Sequence, residues 1–286
     1  MISAKIRILL LTLYKTETMK RILTLILLPV LMVACGGKNT YTYSVEEISV
    51  KSGENNIWGQ LYIPDGVKKA PLVVFSHGFG ATYMSGVPYA EALAPKGYAV
   101  CCYDFCGGSV WSRSEGKTSD MSIFTEAEDL KAVIDDLCER EFIDPKRVIL
   151  IGESQGGMVS SLVAAERKDK IERLVLVFPA FCIPDDWVKM FPKLDDMPEE
   201  MDFWGMKLGH AYLEGLYDLD VYKTVSQYEG PVSIFHGDQD KVVNVSYSER
   251  ALEAYKNATL KVLPGEGHGF KPEVQKEVIG EIAELL

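Results

Sequence analysis

Six short, predominantly apolar runs punctuate the chain: Leu72–Phe75, Ala99–Tyr103, Val148–Ile151, Leu174–Phe178, Val232–Phe235 and Leu260–Leu263. A strand wetted on one face alternates apolar and polar side chains. Runs without that alternation read as strands covered on both faces, as in a parallel sheet with helices above and below. Helical patterns separate them, at Tyr89–Lys96, Thr125–Arg140, Gln155–Arg167, Ser246–Lys256 and Pro272–Leu286. In the second of these, Ala127, Leu130, Val133, Ile134 and Leu137 fall on one helix face. Ahead of the runs, Val45–Val50 and Ile57–Ile63 read as an antiparallel opening pair. The alternation predicts a doubly wound, mostly parallel α/β sheet over residues 45–286, within the length that one α/β domain reaches. With 47% hydrophobic residues the chain can bury such a core, and disorder is excluded as its main state.

Residues 1–44 have a different character. From Met19, which reads as the start, Lys20-Arg21 precede an apolar run from Ile22 to Val33, then Ala34-Cys35-Gly36-Gly37. A cationic start, about a dozen apolar residues and a small residue form an export signal, and the run is short of the ~20 residues that span a bilayer. The segment is read as a signal peptide over 1–34 and a tether over 35–44. Leu31-Met32-Val33-Ala34-Cys35 resembles the lipobox of bacterial lipoproteins, which implies lipidation at Cys35 and a place in the cell envelope; plain secretion is the alternative. Membrane contact is then expected only through this anchor. Without residues 1–34 there remain 25 Lys/Arg against 40 Asp/Glu, a net charge of −15. So acidic a body, with no basic run beyond a dipeptide, excludes nucleic acid as a partner. Five cysteines follow Cys35, an odd number that argues against a full disulfide framework, and their spacing predicts no metal site.

One connection is far longer than its neighbours. About fifty residues separate Phe178 from Val232, rich in aromatic and Met side chains. The stretch near 180–228 reads as a cap over a ligand face, expected to set ligand preference while leaving the chemistry alone.

The chemistry resides in four short motifs. Gly152-Glu153-Ser154-Gln155-Gly156 follows a predicted strand and opens a predicted helix, the setting of a nucleophile elbow that lifts Ser154 above the sheet edge. A serine hydroxyl needs a base. Of the four histidines, His268 lies on a glycine-rich loop after the last strand, whereas His236 ends a strand and reads as structural. His210 lies in the insertion, where a cavity or a surface position is equally open. An acid must orient the imidazole, and His236–Val243 offers Asp238 and Asp240. Asp240 lies further along the loop and is favoured; Asp238 is assigned to capping the turn. Two N–H donors must hold the oxyanion. Gln155 supplies one, and Phe79 in Ser76-His77-Gly78-Phe79-Gly80 supplies the other, with His77 ordering that loop.

Together these motifs resemble the α/β-hydrolase superfamily over roughly residues 45–286. Phe75–Gly80, Asp104–Glu115, Gly152–Gly157, Lys207–Tyr222 and His236–Val243 resemble the cinnamoyl (feruloyl) esterases and their cap-bearing relatives. The resemblance implies an α/β-hydrolase fold with an inserted cap that binds an aromatic acyl group, a cap aspartate meeting its phenolic hydroxyl. Asp185 or Asp186 is the candidate aspartate, with Trp187, Trp204 and Tyr212 as further substrate contacts. Where that family has Gly-His-Gly in the loop after the fourth strand, this chain has Cys106-Gly107-Gly108. The sequence thus predicts a serine carboxylester hydrolase with the triad Ser154, Asp240 and His268, a small-molecule ester as partner and no cofactor. A homodimer is compatible with it. The alternatives are a serine peptidase of the acylaminoacyl or prolyl-oligopeptidase type and a surface lipoprotein that binds a ligand without turnover.

Overall fold

All six apolar runs are strands of one eight-stranded sheet. The structure is a computed structural model and describes residues 40–286; the signal segment and Cys35 lie outside the described residues. In chain order the strands are β1 Tyr43–Ser52, β2 Asn55–Pro64, β3 Ala70–Ser76, β4 Ala99–Tyr103, β5 Ile143–Glu153, β6 Ile171–Val177, β7 Glu200–Phe203, β8 Met206–Gly209, β9 Val232–Gly237 and β10 Ala258–Leu263. The main sheet runs β1-β2-β4-β3-β5-β6-β9-β10, while β7 and β8 form a separate hairpin. β1 and β2 pair antiparallel, as does β2 with β4, and every later pair in the main sheet is parallel. Among the described residues seven helices accompany them: α1 Val87–Leu93, α2 Ile123–Cys138, α3 Gln155–Glu166, α4 Ile183–Met190, α5 Val221–Val225, α6 Ser246–Ala254 and α7 Pro272–Leu285.

The apolar runs of the central strands are buried throughout, as runs covered on both faces require, while the opening residues of β5 and β6 are partly exposed. Leu260–Leu263 departs from that expectation. β10 pairs only with β9 at the sheet edge, and Lys261 and Val262 face solvent. Such a run cannot report whether a strand lies inside a sheet or closes it. The predicted helix at Tyr89–Lys96 is α1 continued by a 3₁₀ turn over Ala94–Lys96, which Gly97 ends with φ 97°.

The register sets the stage for function. Ser76 pairs with Gly152, Glu153 with Val177, Val177 with Phe235 and Leu263 with Gly237. The carboxyl ends of β3, β5, β6, β9 and β10 therefore lie side by side, where α/β sheets receive their ligands. The insertion between β6 and β9 supplies α4, the β7–β8 hairpin and α5.

Candidate active site

Ser154 sits on the turn from β5 into α3 with φ 51° and ψ −119°, a strained conformation for a residue with a side chain. Glycines make that turn sterically feasible. A Cβ at Gly152 would stand 2.3 Å from the Gly156 carbonyl oxygen, and one at Gly156 would stand 2.2 Å from the Ser76 carbonyl oxygen. The Ser154 N–H donates to Val177 O at 3.0 Å, tying the elbow to β6.

His268 reaches the hydroxyl from the loop after β10. Its Nε2 lies 2.9 Å from Ser154 Oγ, and its Nδ1 lies 2.8 Å from Asp240 Oδ2. The Phe178 ring packs against the imidazole at 4.8 Å between centroids. Phe178 has φ 38°, so a second strained residue directs a side chain at this point. Asp240 is fully buried as a side chain and His268 20% exposed. Asp240 Oδ1 accepts the Val242 and Val243 N–H at 2.8 and 2.9 Å. Burial would push the Asp240 carboxyl up, but hydrogen bonds from His236, His268 and Val243 outweigh it and hold the group below the ordinary carboxylate range. Asp238 faces elsewhere, accepting the Gly265 N–H at 2.7 Å, so it braces the neighbouring loop instead of its own turn.

The two residues predicted to supply amide donors, Gln155 and Phe79, line the same cavity as Ser154. Gln155 is the first residue of α3, so its N–H has no intrahelical acceptor. Phe79 lies on the loop after β3, held by Gly80 N–H donating to Gly108 O at 3.2 Å and Ser109 Oγ donating to Gly80 O at 2.8 Å. The Cys106-Gly107-Gly108 loop thus braces the loop carrying Phe79. His77 Nδ1 donates to Gly78 O at 2.8 Å and its Nε2 accepts the Phe105 N–H at 3.2 Å, while burial lowers its pKa. A neutral imidazole with both nitrogens engaged orders the loop.

Beside Ser154 opens a cavity of about 580 Å³, lined by Phe79, Gln155, Ile183, Asp186, Trp187, Phe203, Trp204, Tyr212 and Val243 among others. Four of the five predicted substrate contacts border it, and the fifth does not. Asp185 points away from the cavity, where its carboxylate accepts from Tyr247 Oη at 3.0 Å and lies 3.6 Å from Arg250. Consecutive positions at the start of a helix diverge by about 100°, so only one of the two aspartates can face the cavity. Trp204 forms the hairpin tip with φ 49° and stacks on Phe203 at 5.2 Å. His210 is likewise outside, its Nε2 bonded to Met197 O at 2.9 Å.

The cap also reaches the side chain of the residue that follows Ser154. Tyr212 Oη donates to Gln155 Oε1 at 2.5 Å, and Gln155 Nε2 donates to Glu126 Oε2 at 2.8 Å. Burial, with a contribution from Asp129, pushes the Glu126 carboxyl well above its ordinary range, and Tyr212 is raised well above its own. Glu126 and Tyr212 between them clamp the side chain of an oxyanion-donor candidate. Sequence reasoning missed Glu126. Its signal was an acid at helical spacing within the apolar face of α2, three residues from Ile123 and four from Leu130.

Glu153, next to the nucleophile, is also buried. Its Oε1 accepts from Tyr89 Oη at 2.8 Å, and burial pushes its carboxyl from 4.5 up to about 7. Between these values the unfolded chain releases the proton before the folded one does. Stability should therefore fall as pH rises through that window, by about 3 kcal/mol, and level off above it. Glu153→Gln should flatten this part of the profile, as read from urea midpoints between pH 4.5 and 8. An unchanged slope in the variant would assign the dependence to other groups.

Comparison with known proteins agrees with this fold. A family profile described as Hydrolase_4, serine aminopeptidase S33, matches residues 68–201. Quorum-quenching protein AidA of Acinetobacter baumannii is 31% identical over 113 residues, covering 39% of this chain and 36% of that protein. The 2-hydroxy-6-oxononadienedioate/2-hydroxy-6-oxononatrienedioate hydrolase of Paraburkholderia xenovorans is 30% identical over 174 residues, covering 59% of this chain and 51% of that protein. The chain thus spans between about a third and a half of the length of these two relatives. Among solved structures, Est1E from Butyrivibrio proteoclasticus with ferulic acid bound superposes with a TM-score of 0.74 at 29% identity, over 82% of this chain and 97% of that one. With its parallel sheet, its strained serine elbow and these likenesses, the chain has the α/β-hydrolase fold and is similar to hydrolases and esterases built on it.

Proposed function

We propose that the protein is a serine carboxylester hydrolase that acts on aromatic, cinnamoyl- or feruloyl-type, or short acyl esters. The observation that carries this reading is the hydrogen-bonded series Asp240–His268–Ser154 opening onto an aromatic-lined cavity. Ser154 Oγ attacks the ester carbonyl carbon while His268 Nε2 takes its proton. The Phe79 and Gln155 N–H groups receive the oxyanion. Collapse expels the alcohol, protonated by His268, and water then attacks the acyl-enzyme by the same route, releasing the acid and restoring Ser154.

The aromatic walls from Trp187, Phe203, Trp204 and Tyr212 suit a planar acyl group, and Asp186 is the acceptor for its phenolic hydroxyl. Est1E, which holds ferulic acid, supports the same acyl class. The purified protein should hydrolyse p-nitrophenyl acetate and prefer methyl ferulate among methyl esters. Trp204 is 68% exposed, so its removal should leave the fold intact. Trp204→Ala should lower kcat/KM for methyl ferulate by ~1–3 kcal/mol, and for p-nitrophenyl acetate far less. Equal losses on both esters would remove the aromatic preference. The matching profile is described by a serine aminopeptidase, which favours the peptidase as second reading. Faster turnover of an aminoacyl amide than of either ester would establish it.

We also propose that the protein is exported and anchored through a lipid on Cys35, on the strength of the apolar run and Leu31–Cys35. Among the described residues no helix is long and apolar enough to cross a membrane. Expressed in a Gram-negative host, the chain should incorporate labelled palmitate and sediment with membranes, and Cys35→Ala should lose both. Unlabelled, freely soluble wild-type protein would leave simple secretion.

A further inference from the structure

His236 ends β9 with its side chain fully buried, and the mechanism above does not use it. Its Nε2 lies 2.9 Å from Val243 O and 3.2 Å from Asp240 Oδ2. Both neighbours are acceptors, so Nε2 carries the proton, which Val243 O accepts with the Asp240 carboxylate close beside it. In the neutral ring Nδ1 is then an acceptor, and Ser248 Oγ, 2.7 Å away on α6, donates to it. Asp240 Oδ2 consequently faces two imidazole nitrogens, His268 Nδ1 at 2.8 Å and His236 Nε2 at 3.2 Å, while Oδ1 receives two loop amides.

We propose that His236 is a positioning residue of the hydrolytic centre: locked by Ser248, it turns the Asp240 carboxylate toward His268 and takes up part of its charge. The inference rests on reading Ser154, His268 and Asp240 as the triad. The two loop amides fix one oxygen only. The imidazole from β9, fully buried and not part of the cavity lining, stands beside the other oxygen and holds it where His268 needs it. Because Oδ2 is shared, less of its charge reaches the His268 imidazolium that forms during attack. Other titratable groups nearby are engaged separately. Glu266 pairs with Lys271 at 2.6 Å, Asp238 accepts from Gly265, and the Cys182 thiol, raised by burial, lies beside Asp186.

The test is the pH profile of kcat and kcat/KM for p-nitrophenyl acetate in variants shown to be folded by circular dichroism. His236→Leu removes the donor and should lower kcat roughly 10- to 100-fold, as small misplacements of catalytic groups do. It should also move the acid limb to higher pH, since Asp240 then gives its undivided charge to His268. His236→Gln offers two N–H groups, one each for Val243 O and Asp240, and should stay within a fewfold of wild type with the limb in place. If His236→Leu does not fold, Ser248→Ala decides: freeing the ring should move the limb in the same direction. A folded leucine variant with wild-type kcat and limb overturns the proposal. So does a loss of kcat with an unmoved limb that glutamine fails to restore, because that would be a structural role. Absence of wild-type turnover would instead remove the hydrolase reading on which the inference stands.

Discussion

Replacing Asp240 by Asn will lower kcat by about 10⁴-fold in a protein that still folds, the scale of acid-to-amide changes in a Ser-His-Asp centre. The amide can still occupy the site and accept the Val242 and Val243 N–H groups through its oxygen. Its nitrogen would then face His268 Nδ1 as a donor, forcing the ring into the tautomer that protonates Nε2 and cannot accept from Ser154. Asp238→Asn should leave turnover within a fewfold, because that side chain holds only the Gly265 N–H. The same carboxyl group sets an acid limit to stability. Its folded pKa is depressed, so the stabilisation it provides is present above the ordinary carboxylate range and is lost as pH falls through the folded value. Asp240→Asn should therefore weaken the acid dependence of the urea midpoint. If Asp238→Asn abolished turnover in a folded protein and Asp240→Asn did not, the two roles would be exchanged.

The features legible in the sequence are those that a short window determines. A doubly covered strand must be apolar throughout, and a turn into a helix at the sheet edge must have small residues beside Ser154. Both constraints are written in consecutive letters, and the elbow and loops lie where those letters put them. The β7–β8 hairpin was not legible, because its four-residue strands turn through Trp204-Gly205 instead of the usual Asn-Gly or Asp-Gly. Asp185 and Asp186 could not be separated by sequence, since which one faces the cavity depends on how α4 is rotated against the body. The Glu126–Gln155–Tyr212 series joins residues 57 positions apart in its longer step, and His236 meets Asp240 through a loop that folds back on β9. Neither leaves a local pattern. An isolated acid on an apolar helix face and a histidine at a strand end were the only traces.

Gly156→Ala will destabilise the fold by more than about 4 kcal/mol or prevent it from forming, although it adds one methyl group. The added Cβ would lie 2.2 Å from Ser76 O and 2.4 Å from His77 O, both backbone atoms of the segment that leaves β3. Neither side can yield alone. α3 begins at Gln155 and is buried along ten of its twelve residues, while β3 is clamped between β4 and β5. A shift of Ser76–His77 would also carry Phe79 away from Ser154. Any folded fraction should therefore lose about 10²–10³ in kcat, the scale of a missing oxyanion donor. Gly280→Ala is the control, for Gly280 lies in α7 with nothing within 4 Å of its added Cβ. There the same methyl group should stabilise by up to ~1 kcal/mol through helix propensity. Denaturant midpoints and kcat of the two variants measure both effects. A Gly156→Ala protein with the wild-type midpoint would mean that α3 does not press on β3 at this distance, and the steric basis assigned to the elbow would be lost.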